Sequence, residues 1–173
     1  MNTRQLTLAA VVAALYALLS YFAGIFGVAY GPVQCRFSEA LCVLPFLFPC
    51  TAPGLFVGCL IANLLSPYGP IDVVCGSAAT LIAALCTAKV KYKWLAPLPP
   101  VIANGLIVGG MLAWFEAGFG PGFPMAFAYN AGTVALGELL ACYILGGLLL
   151  AALPKIAFFG DMMPPDRLPR SLS

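Results

Sequence analysis

Apolar residues run along this chain in long blocks, and polar residues arrive in short clusters between them. The first block extends from Gln5 to Val28. At about 1.5 Å per residue it is long enough to cross a hydrocarbon core of about 30 Å. It is too long for the apolar core of a cleavable leader and has no clear small-residue cleavage site, so it reads as a first membrane helix. Within it Ala9, Ala13 and Ala17 recur at every fourth position, with Ala10 and Ala14 one position on. Small residues at that spacing make a smooth stripe along which another helix approaches closely.

The second block, Ser38 to Leu65, is interrupted by Pro45, Pro49 and Pro53. It reads either as one kinked span or as a hairpin of two short ones, and charge decides between them. Apart from Arg36, the basic residues are Arg4, the cluster Lys89, Lys91 and Lys93, and the late residues Lys155, Arg167 and Arg170. Basic loops stay in the cytoplasm. All three basic regions share that side only if the block crosses twice, turning at residues 48–53. Helices are therefore expected at about 5–28, 37–49, 53–66, 71–88, 97–115 and 130–153. Residues 1–153 form one six-helix membrane domain in this reading, and 154–173 form a polar, loosely ordered cytoplasmic tail. Trp94 and Trp114 stand one span apart and read as interfacial anchors. The expected fold is an all-α integral membrane protein, a compact bundle of about six transmembrane helices with both termini cytoplasmic.

Composition agrees. The 173 residues are 62% hydrophobic and 8% charged, with a mean hydropathy of +1.01. A water-soluble domain carries about a quarter charged residues. The net charge of +2 does not indicate nucleic acid, because the cations lie in short loops and the tail. Seven cysteines without a C-x-x-C pair, and no histidine at all, argue against zinc, haem and iron–sulfur sites. They read as small packing residues, and no metal or cofactor is expected. Neither a phosphate-binding G-x-x-x-x-G-K-[ST] loop nor a Ser/His or Cys/His dyad is present. The chain reads as a binding or transport subunit and not as an enzyme.

Polar residues are expensive at membrane depth and mark function. The stretch Tyr30 to Leu41 holds Gln34, Arg36, Ser38 and Glu39 within six residues, and it reads as the outer mouth of a pocket. Arg36 and Glu39 are also spaced for a local ion pair, and Ser38 for a helix cap. Glu138 lies eight residues into the expected sixth helix, about 12 Å below the outer surface, with Ala131, Val134 and Ala135 leaving space before it. It reads as the acceptor for a cationic or NH-rich ligand, or as a salt-bridge partner of Arg36. Asn104 is a candidate for the pocket floor. Asp72 suits an N-cap as well as a ligand contact, and Asn63 suits interhelical hydrogen bonding. Tyr129 and Asn130 stand at the outer end of the sixth helix.

These stretches together resemble a known family. Residues 30–41, Leu44-Pro45-Phe46, residues 53–64, Asp72 to Ser77, residues 95–100 with Asn104, and Gly137-Glu138 are similar to the QueT family. The resemblance covers nearly the whole chain up to Leu153. It implies a substrate-binding component of an energy-coupling factor transporter in a bacterial cell membrane. Its implied cargo is a precursor of the tRNA nucleoside queuosine, and its implied partners are a membrane coupling protein and two ATPase subunits. In such components an A-x-x-x-A stripe on the first helix docks the coupling protein, which Ala9, Ala13 and Ala17 match. The implied ligand, a 7-deazaguanine, presents N–H donors to carboxylates, and its aminomethyl form adds a cation. Glu138 is then assigned to the base edge or the ammonium, Asn104 and Asn130 to the base, Glu39 or Asp72 to the second polar end, and Tyr129 to stacking. Gln34 and Arg36 complete the expected site. A substrate-binding component for another vitamin or nucleobase, and a membrane scaffold with no ligand, are the alternatives.

Overall fold

The computed structural model describes residues 2–26 and 36–167. Among them every regular element is helical: α1 (Thr3–Ile25), α2 (Ala52–Asn63), α3 (Pro70–Lys89), α4 (Leu98–Ala117), α5 (Phe123–Leu140) and α6 (Gly147–Ala152). A ten-residue 3-10 helix, Phe37–Phe46, stands between α1 and α2, and a π-helical turn, Ala141–Gly146, joins α5 to α6. Four stretches are long and apolar enough to cross a membrane, namely Thr3–Ile25, Pro70–Lys89, Lys93–Ala117 and Phe123–Lys155. Phe37–Phe46 and Pro49–Asn63 are shorter apolar helices. The all-helical membrane fold expected from hydropathy is therefore present.

Close backbone approaches order the bundle. Side-chain carbons at Gly54 and Gly58 would stand 2.2 Å and 2.6 Å from the carbonyl oxygens of Ala9 and Ala13. The pairing rises together in sequence, so α1 and α2 run parallel, with Gly54 and Gly58 receiving Ala9 and Ala13. At Gly109 such a carbon would lie 2.6 Å from Ala131 Cα, and at Gly105 3.2 Å from Ala135 Cβ. Here the pairing falls, so α4 and α5 are antiparallel. Small residues four apart permit both contacts, where lipid offers no hydrophobic drive to hold helices together.

The 3-10 helix runs through the middle of the molecule, and Ser38 to Phe46 are all buried. It starts beside Ser20, Asn63 and Asp72 and ends beside Val90. Ser20 Oγ donates to Ser38 Oγ at 2.7 Å, so Ser38 ties this helix to α1 instead of capping it. The chain thus alternates in direction through α1, the 3-10 helix, α2, α3, α4 and the α5–α6 rod. Helix α5 begins at Phe123, well before the expected start near 130, because Gly122 and Pro124 serve its first turn.

Met163 and Arg167, in the stretch expected from its polarity to be a loose tail, are packed against the bundle. Met163 is buried with Val43, Phe46, Leu47, Phe48 and Leu150. Arg167 donates to the carbonyls of Phe46 at 2.6 Å and Val90 at 2.8 Å, and its guanidinium lies 4.0 Å from the Phe46 ring centroid. Arg4, Lys89 and Arg167 therefore share one end of the bundle, where Arg4 and Thr7 line a groove with Phe158 and Met162.

Candidate functional site

The 3-10 geometry explains the first part of the site. Side chains three residues apart eclipse one another on a 3-10 helix, so Glu39 and Cys42 point the same way. Cys42 Sγ donates to Glu39 Oε2 at 3.0 Å, and the hydroxyl of Tyr16 on α1 donates to Glu39 Oε1. On α5, Glu138 precedes the π-turn, a feature frequent at functional sites. Cys142, in the first positions of that turn, donates to the Glu39 backbone oxygen at 3.2 Å and approaches Glu138 Oε2 at 3.6 Å.

Asn104 of α4 joins the two carboxylates. Its Nδ2 donates to Glu138 Oε1 at 2.8 Å and reaches Glu39 Oε2 at 3.5 Å. Glu39, Asn104 and Glu138 are all buried. The donors that they receive (a phenol, two thiols and an amide) are all neutral. The nearby cation, Arg36, pairs instead with Asp72, at 3.5 Å from Nη2 to Oδ2, and donates to Asn63 Oδ1 at 3.2 Å. Asn63 in turn donates to the Asp72 backbone oxygen at 3.1 Å, which confirms it as interhelical glue. Asp72 sits in the first turn of α3, where the helix dipole favours a negative charge.

Between these groups lies a polar cavity lined by Arg36, Glu39, Gly76, Thr80, Asn104, Val108, Val134 and Glu138. Its volume is about 10 Å³, room for about one water molecule. A larger groove of about 620 Å³ between α1 and α2 is lined mainly by apolar side chains such as Leu18, Ile61 and Leu65. Among the described residues it lacks the converging polar groups of a recognition site.

Of the residues expected from the sequence, Arg36, Glu39, Asn104 and Glu138 come together, with Asp72 directly behind Arg36. Asn130 does not join them: its Nδ2 donates to Glu116 at 2.9 Å and to the Ala126 carbonyl at 3.0 Å. Tyr129 is 58% exposed and is not among the residues that line the cavity. Gln34 lies outside the described residues. Ala131 and Ala135 press on α4, so the space expected before Glu138 is bounded by Val134 alone among the three small residues. Ala9 and Ala13 are buried against α2 and Ala17 is half-buried, whereas Ala10 and Ala14 face outward.

Gly76, Thr80, Val108, Tyr16, Cys42 and Cys142 were not singled out by the sequence reading. Two of them were within its reach: Val108 follows Asn104 by four, and Cys142 follows Glu138 by four, the helical spacing that keeps side chains on one face. Gly76 and Thr80 repeat the same spacing on α3.

A family model described as QueT transporter matches residues 6–155. The queuosine precursor transporter QueT of Lactococcus lactis subsp. cremoris (strain MG1363) is 36% identical to this chain over 81 residues. That alignment covers 47% of each chain, about half the length of this curated relative. No solved structure matches.

Proposed function

Since the chain belongs to the QueT transporter family, we propose that it captures a queuosine precursor in the cavity around Glu39, Asn104 and Glu138. The observation that carries this reading is the pair of buried carboxylates joined through one amide, with a phenol, two thiols and that amide as their donors among the described residues. A carboxylate at membrane depth costs on the order of 3 kcal/mol unless a partner offsets it. A ligand bearing N–H groups and an ammonium, such as 7-aminomethyl-7-deazaguanine, supplies that partner. Glu138 and Glu39 take the cationic end in this reading, and Asn104 orients both carboxylates.

The end bearing Arg4, Lys89 and Arg167 is cytoplasmic by the distribution of basic residues, which makes Arg36 and Asp72 the outward side. With no nucleotide-binding loop in its sequence, the chain draws energy from partners: a membrane coupling protein and two ATPases of the energy-coupling factor type. Ala10, Ala14 and Ala17 then form the face of α1 that meets the coupling protein, because Ala9 and Ala13 are consumed by α2. The protein acts in a bacterial cytoplasmic membrane in this scheme.

Thermal unfolding of the purified protein with 7-aminomethyl-7-deazaguanine, its nitrile analogue, queuine, guanine, riboflavin and biotin tests the reading. A ligand at a thousandfold over its Kd stabilises by about 4 kcal/mol, which for a chain of this size raises the midpoint by roughly 8–16 °C. Such a shift with deazaguanines alone is expected. A shift with a vitamin instead replaces the cargo, and no shift at all leaves the polar cluster as helix-to-helix glue in a scaffold.

A further inference from the structure

Asp72 is fully buried, and only one of its carboxylate oxygens is used. Oδ2 accepts from Ser66 Oγ at 2.6 Å and pairs with Arg36, whereas Oδ1 has no hydrogen-bond partner among the described residues. A buried acceptor left unmade is unusual in a folded chain and asks for a donor. The oxygen rests against Gly76, where a side-chain carbon would stand 2.9 Å from it and 2.5 Å from Asn63 Nδ2. Gly76 and Arg36 both line the polar cavity. That side of the cavity therefore presents the Arg36 guanidinium held by Asp72, Thr80 of α3, and a bare glycine with the free oxygen of Asp72 behind it.

Donor and acceptor side by side suit a cyclic lactam edge, in which a ring carbonyl accepts and the adjacent ring N–H donates. An amidine edge carries the reverse pattern. We propose that Arg36 and Asp72, brought to the cavity wall by Gly76, read the lactam edge of the ligand, with Arg36 donating to the carbonyl and Asp72 Oδ1 accepting from the N–H. Glu138 and Asn104 on the α4–α5 side are left to the aminomethyl group, which stands beside the lactam carbonyl. The inference rests on the reading that this cavity takes a deazaguanine-type ring.

The test compares 7-aminomethyl-7-deazaguanine with its 2,6-diamino analogue, in which the lactam becomes an amidine and nothing else changes. Equilibrium binding to the intact purified protein is expected to favour the lactam by about tenfold or more, as a site built on hydrogen bonds leaves its own groups unpaired with the wrong edge. In Asp72→Asn the ratio is expected to fall by about threefold or more, because an amide turns either its oxygen or its NH2 toward the ring nitrogen, while Arg36 still favours the carbonyl. A ratio is insensitive to a uniform loss of folded protein. Should Asp72→Asn not yield stable protein, Gly76→Ala, whose added carbon intrudes on Oδ1, is measured for the same fall. Equal binding of both ligands by the wild type, or an unchanged ratio in the variant, overturns the proposal. Binding of neither ligand by the wild type overturns the capture reading, and the lactam reader falls with it.

Discussion

Glu39 receives a phenol and a thiol, and Glu138 an amide and a thiol, so each carboxylate is oriented before any ligand arrives. Oriented, buried carboxylates set the two glutamates apart from ordinary packing residues. Glu138→Gln is expected to weaken deazaguanine binding by about thirtyfold or more, the loss of roughly 2 kcal/mol that follows removal of one buried charged partner. The ligand-free variant is expected to unfold at the wild-type temperature or above, since a buried charge without its counter-ion is removed. Titration calorimetry beside thermal melts separates the two effects. Glu138, Asn104, Arg36 and Glu39 were legible in the sequence because polar groups stand out against hydrocarbon. Asn130 and Tyr129 misled because proximity in sequence to a helix end says nothing of the face a side chain occupies once Glu116 engages Asn130. The thiols of Cys42 and Cys142 were hidden by their small size, which lets them pass for packing.

At the scale of the element, two small-residue contacts set which helices are neighbours. Ala9 and Ala13 looked like a free stripe, yet their partner, Gly54-x-x-x-Gly58, stands in the same chain and was equally visible in the sequence. Only pairing the two stripes would have shown the contact to be internal. Gly54→Ala is expected to cost about 1–3 kcal/mol, as overpacking against a backbone oxygen does, and to lower the thermal midpoint by several degrees. Gly132→Ala, with open space where the new carbon would lie, is expected to leave the midpoint unchanged or slightly raised, given alanine's better helix propensity. Equal effects at the two positions would deny the contact its structural role. Helical periodicity located the long spans well. It did not reveal the ten-residue 3-10 helix, because runs of that length are uncommon and its apolar residues fit an α-helix equally well. That difference matters for the site, since the tighter winding sets Cys42 directly over Glu39.

Across the whole molecule, charge is segregated. Arg36 sits near the starts of the 3-10 helix and α3, while Arg4, Lys89 and Arg167 gather at the opposite end. A cysteine introduced at Gly120, in the α4–α5 turn, is expected to react with an impermeant maleimide in intact cells. One introduced at Lys91 is expected to react only after permeabilisation. Both are scored above the labelling of the native cysteines, and the reverse pattern inverts the orientation. Arg167 also closes the basic end by binding the carbonyls of Phe46 and Val90, so Arg167→Ala is expected to destabilise the fold by about 1–3 kcal/mol, read by the same melts. This docking was illegible in the sequence because a charged residue in a proline-rich stretch gives no sign of the two helix-end carbonyls waiting for it.

The polar cavity holds about one water molecule, far less than a two-ring base occupies. This smallness will be felt in time as well as in affinity. The ring enters only after the walls part, so the observed rate of association should level off as ligand is added, at the frequency with which the closed form opens. A tightly held cargo would then be collected by a protein that spends most of its life unable to admit it.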